Sequence, residues 1–384
     1  MLTEWTRNKV RVNMNELDFI LVKPAGPDCN LNCEYCFYLE KAALFPESPV
    51  HRMGEDTLKI LIRQSSELNS QQITFGWQGG EPLLMGLPFF KHAVLLQKEF
   101  FKGRFVENTF QTNGIFIDRD WGKFFRENHF LLGLSIDGPQ EIHDRFRRNG
   151  KGSFERVMAA WKILQEENVE VNSVTSVHRE SQDCVDEIYS FLKEIGFHWM
   201  QFIPIVERDP KSPRSIRSFS VTPKGYGDFL CRLFDHWLKG FHLGKSTTPI
   251  RWFESLFFSF VGLEAPECTL KKNCGQYLVV EYNGDVYPCD FFVEPGWKLG
   301  NIHQDHLAHL AQSHRRQEFA RRKRVADAHC MKCRWLRFCY GGCPKDRFKG
   351  QLNYLCPAYS CFFQHAEPTM KKMAGLWKSD NRIG

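Results

Sequence analysis

Fourteen of the 384 residues are cysteine, and their spacing is where chemistry first shows. Three of them, Cys29, Cys33 and Cys36, fall within the eight-residue segment CNLNCEYC. A loop this short can wrap its thiolates around a four-iron cubane. Three thiolates on four irons leave one iron without a protein ligand, much as a catalytic zinc keeps an open position, and that iron can chelate a substrate. The competing reading is a zinc knuckle, which needs a fourth Cys or His nearby. His51 is the nearest and is poorly placed for it.

Nine more cysteines lie between Cys268 and Cys361. They read Cys268-x5-Cys274-x14-Cys289, then Cys330-x2-Cys333-x5-Cys339-x3-Cys343, then Cys356 and Cys361. Eight of the nine make two four-cysteine sites. In the ferredoxin run C-x2-C-x2-C-x3-C-P the cysteine before proline ligates the other cluster, and Cys343-Pro344 repeats that feature. The same crossing assigns Cys268, Cys274, Cys289 and Cys343 to one auxiliary [4Fe-4S] cluster. Cys330, Cys333, Cys339 and Cys361 go to the other, with Cys356 as the alternative for its last place. Two structural zincs in all-cysteine shells would show comparable spacings. Cys184 and Cys231 have no spaced partner and are expected to be small core residues.

The elements that must carry these loops are legible as hydrophobic periodicity. From Asp18 to Glu207 short β-rich apolar runs alternate with longer amphipathic stretches, the signature of βα units. Strands are expected from Phe19, Gln72, Asn108, Phe130, Val169 and Trp199. Six parallel strands make an α/β fold, a partial (β/α)6 TIM-like barrel. The cysteine triplet follows the first strand, on the edge where barrels place active sites. Helices are expected over Pro88 to Phe101, Phe154 to Glu167 and Gln182 to Ile195, each with apolar residues three and four apart. Glu207 to Thr222, rich in Pro, Ser and Arg, reads as a loop. Helical pattern resumes from Pro223 to Gly240 and from Pro249 to Gly262. After Glu264 the chain turns Cys-, Gly- and aromatic-rich with little periodicity, as in small domains held by metals. The expected division is 1–17 as an N-terminal extension, 18–245 as the barrel and 246–384 as a small cysteine-rich domain binding two clusters.

Composition narrows the function classes. With 42% hydrophobic and 25% charged residues the chain reads as globular. No window approaches the roughly 20 apolar residues of a membrane span, and MLTEWTRNKV lacks the apolar stretch of a secretory signal. A cytoplasmic protein is expected, and in that reducing compartment thiols serve as metal ligands or buried hydrophobes and not as a disulfide framework. A net charge of +6 is modest. The densest basic run, Arg315 to Arg324, reads as a solvated helix face and not as a nucleic-acid patch.

The residues around the triplet resemble the radical S-adenosylmethionine superfamily. The resemblance sets Tyr35, between the second and third ligands, against the cofactor's adenine. Gly79-Gly80-Glu81-Pro82, ending the second strand, matches the GGEP motif that holds the methionine amino group. Ser135 in LSIDG and Arg147 in HDRFRRNGKGSF match contacts to the ribose and carboxylate, and Val206 matches loosely a backbone or apolar adenine contact. The C-terminal spacings are similar to those of the SPASM domain. Through CNLNCEYCFYLEK, GWQGGEPLL, QTNG, SIDGP, QFIPIVE, NGDVYPCDFF and the Cys330 to Pro344 run, almost the whole chain resembles the anaerobic sulfatase-maturating enzymes.

The resemblance implies oxidation of a Cys or Ser in a sulfatase to Cα-formylglycine without oxygen, through a 5'-deoxyadenosyl radical. It implies three [4Fe-4S] clusters, S-adenosylmethionine as co-substrate, and a sulfatase polypeptide with a Cys/Ser-x-Pro-x-Arg segment. A flavodoxin- or ferredoxin-type electron donor is expected, with a monomeric chain and neither nucleic acid nor membrane as partner. Aldehyde formation must shed a proton as well as an electron, and Asp290, beside ligand Cys289, is the expected base. Two other readings stay open: a SPASM maturase that crosslinks another peptide through thioether or carbon bonds, and a non-catalytic iron–sulfur electron carrier. Such maturases often carry an N-terminal peptide-binding domain, for which the residues before Asp18 are too few.

Overall fold

The computed structural model describes residues 17–209, 211–242, 245–324, 327–348 and 352–380, so the expected N-terminal extension lies, but for Leu17, outside the described residues. The six expected strands form: β1 (Phe19–Lys23), β2 (Gln72–Trp77), β3 (Phe105–Thr112), β4 (Leu131–Ser135), β5 (Glu170–Val177) and β6 (Met200–Pro204). They pair parallel in chain order. Between them run α1 (Glu55–Ser66), α2 (Leu87–Phe101), α3 (Arg119–Glu127), α4 (Phe154–Glu166) and α5 (Val185–Glu194). Parallel strands covered by helices bury both faces, which is why FILVK and QITFGW are nearly continuous apolar runs. Phe90 of α2, Phe110 of β3 and Trp121 and Phe125 of α3 pack ring against ring in this core. Local signals start the helices, as where the Asp118 carboxylate caps α3 by accepting from the Trp121 amide at 3.0 Å.

The sheet does not end at β1. A strand from the cysteine-rich part, β7 (Leu278–Glu281), pairs parallel with β1 and sets Glu281 opposite Lys23. Strands β8 (Asp285–Tyr287) and β9 (Gly300–Asn301) extend it antiparallel. One sheet therefore crosses the expected boundary near residue 245. Beyond the other edge, α6 (Pro223–Lys239) and α7 (Arg251–Val261) follow β6, and Ile250 bridges Met200 in parallel.

Three expectations need correction. The expected loop from Glu207 to Thr222 contains a short hairpin, Arg208–Asp209 against Ser212–Ile216, too brief for alternation to register. Arg315 to Arg324 spans α8 (His314–Arg321), which presents Arg315, Gln317, Glu318 and Arg321 to solvent as expected, and the turn after it, which does not stay outside. Lys323 is buried, its Nζ donating to the carbonyls of Cys268 (2.9 Å) and Thr269 (2.8 Å), and Arg322 lies over the rings of Phe292 and Trp297. Long cationic side chains bury their stems where carbonyls and rings receive their heads, which charge counting does not reveal. Finally, the aperiodic tail contains the 25-residue α9 (Cys356–Asp380). Tyr359, Phe362, Phe363, Ala366, Met370 and Ala374 form its buried face, packed on α6 and α7. Pro368 inside it costs a backbone hydrogen bond, which this aromatic burial offsets. Among the described residues, no helix is long and apolar enough to cross a membrane.

Candidate active site and iron–sulfur sites

The C-terminal ends of the strands gather the chemistry. Cys29, Cys33 and Cys36 follow β1 in a loop closed by Cys36 N–H on the Cys33 carbonyl (2.8 Å) and fastened by Asn32 N–H on the Arg148 carbonyl (3.0 Å). Burial, with the Glu81 carboxylate next in weight, pushes the Cys29 thiol up to about 12; burial pushes Cys33 to about 11 and raises Cys36. Thiolates persist in such a place only beside a strong positive charge, which bound iron supplies. His51 is no fourth ligand: Nδ1 meets Asp28 Oδ1 at 2.6 Å and Nε2 meets the Phe45 carbonyl at 2.9 Å.

The two glycines after β2 allow the next loop to pass beneath this one. Gly79 and Gly80 have φ of +100° and +50°, and a Cβ on Gly80 would lie 1.9 Å from the Asp28 carbonyl oxygen. Glu81 N–H donates to that same oxygen at 2.7 Å. The buried Glu81 carboxylate accepts from Leu83 N–H (3.0 Å), Thr112 Oγ1–H (2.8 Å) and Asn113 N–H (2.8 Å). Burial lifts its pKa to about 7 against the pull of these donors. Three of about four acceptor positions are taken, so Glu81 ties β2 to β3 and offers one position on Oε2 to a ligand ammonium.

Asp137 is the residue that sequence reading missed. Fully buried just after β4, it accepts from Tyr35 Oη–H (2.5 Å), Arg147 Nε–H (2.9 Å) and Ser176 N–H (2.8 Å). Arg147 also donates to Ser176 Oγ at 3.2 Å. The Arg147 charge and these donors keep the Asp137 carboxyl low in spite of burial. Tyr35 and Arg147 are thereby locked together beside Cys33, and Ser135 sits buried two residues before the hub. His178, after β5, stacks on Tyr35 (6.3 Å between centroids) and meets Phe146 edge-on (4.6 Å). Among the described residues, neither of its buried ring nitrogens has a hydrogen-bond partner. Only the D of LSIDG hinted at Asp137, and no spacing marked His178.

Val206, the expected backbone or apolar adenine contact, follows β6. Its side chain belongs to the main core, and its carbonyl accepts from Lys345 Nζ at 2.7 Å. The neighbouring Ile205 packs with Cys33, Tyr35, Phe146 and Phe219, because successive side chains in extended chain face opposite ways. A cleft of about 440 Å³ opens beside the triplet, lined by Tyr35, Cys36, Phe37, Phe146, Arg208 and Phe219.

In the C-terminal part, burial is the largest cause that raises the Cys268, Cys289 and Cys343 thiols; Cys343 adds to the rise at Cys268 and Cys289, Cys268 to that at Cys289, and Cys274 to those at Cys268 and Cys343. Buried Lys323 offers this group a compensating positive charge. Cys330, Cys333 and Cys339 line a second cavity together with Cys356. Burial, then those three thiols, pushes Cys356 to about 11. Cys361 is not in that cavity, which corrects the expected ligand set. It lies one and a half turns further along α9, exposed, with Sγ 4.0 Å from Cys231 Sγ. Spacing could not choose between them because the helix that turns them apart was not foreseen.

Asp290 is buried in a turn beside the first group. Its Oδ1 accepts from Tyr277 Oη–H (2.7 Å) and Phe291 N–H (3.1 Å), with Cys289 Sγ at 3.6 Å. The next ring, Phe291, packs on Phe37, one residue past Cys36, with centroids 4.6 Å apart. The triplet loop and the Asp290 turn are thus neighbours.

The residues fit iron–sulfur groups and a charged nucleoside ligand. Among the described residues, no three His, Cys, Asp or Glu converge closely enough to hold a single ion. His178's orphaned nitrogens and the remaining Glu81 position await a polar ligand.

Residues 24–192 match the Radical SAM superfamily, and residues 268–334 match SPASM, an iron–sulfur cluster-binding domain. The protein is a radical S-adenosylmethionine enzyme with a SPASM domain. It is 42% identical over 380 residues to the serine-type anaerobic sulfatase-maturating enzyme of Bacteroides thetaiotaomicron, covering 92% of this chain and 91% of that one. With the cysteine-type enzyme of Clostridium perfringens it shares 35% over 367 residues, covering 92% and 98%. The structure of native anSMEcpe with bound AdoMet matches at TM-score 0.85 and 34% identity, covering 93% of this chain and 99% of that one. The chain belongs to the anaerobic sulfatase-maturating enzymes.

Proposed function

We propose that the protein oxidises a Cys or Ser side chain of a sulfatase polypeptide, in a Cys/Ser-x-Pro-x-Arg segment, to Cα-formylglycine without dioxygen. Cys29, Cys33 and Cys36 hold the first [4Fe-4S] cluster. Cys268, Cys274, Cys289 and Cys343 hold the first auxiliary cluster, and Cys330, Cys333, Cys339 and Cys356 the second. Bound there, the clusters and S-adenosylmethionine supply a 5'-deoxyadenosyl radical that takes a hydrogen atom from the substrate Cβ, and a sink for the electron released afterwards. The functional division is residues 18–245 for S-adenosylmethionine and 246–384 for the auxiliary clusters, with the shared sheet joining them.

The side chains do the rest. Glu81, Ser135 and Arg147 orient the methionine and ribose portions, Arg147 through its tie to Asp137. Tyr35, Ile205 and His178 enclose the adenosine, and the apolar walls keep water from the reacting carbon. Asp290 takes the thiol or hydroxyl proton of the substrate: Tyr277 and the Phe291 amide steady Oδ1, leaving Oδ2 to accept. The observation that carries this reading is the Phe37–Phe291 contact, which sets the proposed base beside both the triplet loop and the ligand Cys289. Electrons pass to or from a flavodoxin- or ferredoxin-type partner at the loop of the second auxiliary site, where Met331 is 72% exposed between Cys330 and Cys333 and next to Lys332.

The test uses the anaerobically reconstituted enzyme with a sulfatase-derived peptide. Asp290→Asn should form 5'-deoxyadenosine yet lose aldehyde product by roughly 100-fold or more. Undiminished product would remove Asp290 from the mechanism.

A further inference from the structure

Cys231 and Cys361 belong to none of the three cluster sites, yet the fold brings them together. Cys231 lies on α6 and Cys361 on α9, with sulfurs 4.0 Å apart. Two contacts fix the register of these helices around the pair. One turn before it, Gly227 admits α9 so closely that a Cβ there would meet Ala358 Cα at 3.2 Å. One turn after it, His365 Nε2 bonds Asp235 Oδ1 at 2.7 Å. The thiols therefore face each other across a held seam. Cys361 is exposed and Cys231 partly so; burial and then the facing Cys361 push the Cys231 thiol up to about 12, which leaves Cys361 as the thiol that attacks first.

We propose that Cys231 and Cys361 form a dithiol that closes to a disulfide by exchange with a small disulfide of the glutathione class. The exposed Cys361 thiolate attacks the small disulfide, forming a mixed disulfide and releasing one thiolate. Cys231 then attacks Cys361 Sγ, and the second small thiolate leaves. The two protein thiols are oxidised by two electrons, one small disulfide is reduced to two thiols, and the two protons pass to the departing thiolates. Bonding requires the sulfurs to approach from 4.0 Å to about 2.05 Å. In a reducing compartment such a bond is transient and reports redox poise. Closure ties α6 of the barrel to α9, whose first residue is Cys356, so oxidation restrains the helix end that carries a cluster ligand.

The test is anaerobic exposure of the holoenzyme to oxidised glutathione, followed by alkylation, peptide mapping and limited proteolysis. Wild type should yield a Cys231–Cys361 crosslinked peptide that has lost two hydrogens, and cleavage within α9 should slow several-fold. Cys231→Ser should stop at a glutathione adduct on Cys361, whereas Cys361→Ser should yield neither species. Both variants should keep the wild-type iron content and cofactor cleavage. Wild type that stops at the adduct would overturn the proposal, as would iron loss in Cys361→Ser, which would mark Cys361 as a cluster ligand.

Discussion

An added Cβ at Gly80 would lie 1.9 Å from the carbonyl oxygen of Asp28, the residue before the first cluster ligand. Gly80→Ala therefore combines a left-handed backbone penalty of roughly 1–2 kcal/mol with a backbone clash that pushes the Cys29 loop away. The expected outcome is at least a tenfold loss of S-adenosylmethionine cleavage with the auxiliary iron retained, checked by 5'-deoxyadenosine release and iron analysis. This residue was legible because two glycines before Glu-Pro after a strand is a motif. Asp137 and His178 were not, because one Asp or His at a strand end carries no spacing, and their significance lies in partners far along the chain. The Cys356 and Cys361 ambiguity is of the same kind. Both satisfy the cysteine count, and only the helix that rotates them to different faces separates them.

Glu254 on α7 shows what an element does to one of its side chains. Burial lifts its carboxyl to about 7, with Trp237 Nε1–H donating to it at 3.1 Å and pulling the other way. Because the folded pKa is above the unfolded one, its contribution is fully present below about pH 4.5 and is lost as pH rises through about 7. Glu254→Gln keeps the acceptor and removes that loss. Its melting temperature should equal that of wild type near pH 4.5 and exceed it above pH 7, by a margin worth about 3 kcal/mol; parallel pH profiles would refute the burial effect. At this scale the six strands and the helices with clear apolar periodicity were readable. The helix α9 has the same three-and-four spacing in Tyr359, Phe362, Phe363 and Ala366, but its cysteines and Pro368 made the segment read as irregular. The hairpin from Arg208 to Ile216 was too short to leave an alternating pattern.

Across the whole molecule the decisive feature is the pairing of β7 with β1. Residues more than 250 positions apart in sequence share a ladder there, and no local pattern announces such a contact. The pairing brings the turn holding Cys289 and Asp290 alongside the triplet loop, so the groups proposed for radical formation and for proton and electron removal are neighbours. Lys345, just past Cys343-Pro344, adds a second tie by bonding the Val206 carbonyl and pairing with Glu207 at 2.7 Å. The composition change near residue 264 marks where the cysteines gather, yet it could not show that the sheet and the main hydrophobic core run on through it.

The central claim is that three cysteines hold a cluster whose fourth iron stays open to S-adenosylmethionine. Electron paramagnetic resonance of the anaerobically reduced protein, recorded before and after that compound is added, tests it most directly. The signal of one cluster should change on addition, and Cys29→Ala, Cys33→Ala or Cys36→Ala should abolish that change while the auxiliary signals persist. A spectrum indifferent to S-adenosylmethionine, or zinc in place of iron at the triplet, would contradict the account.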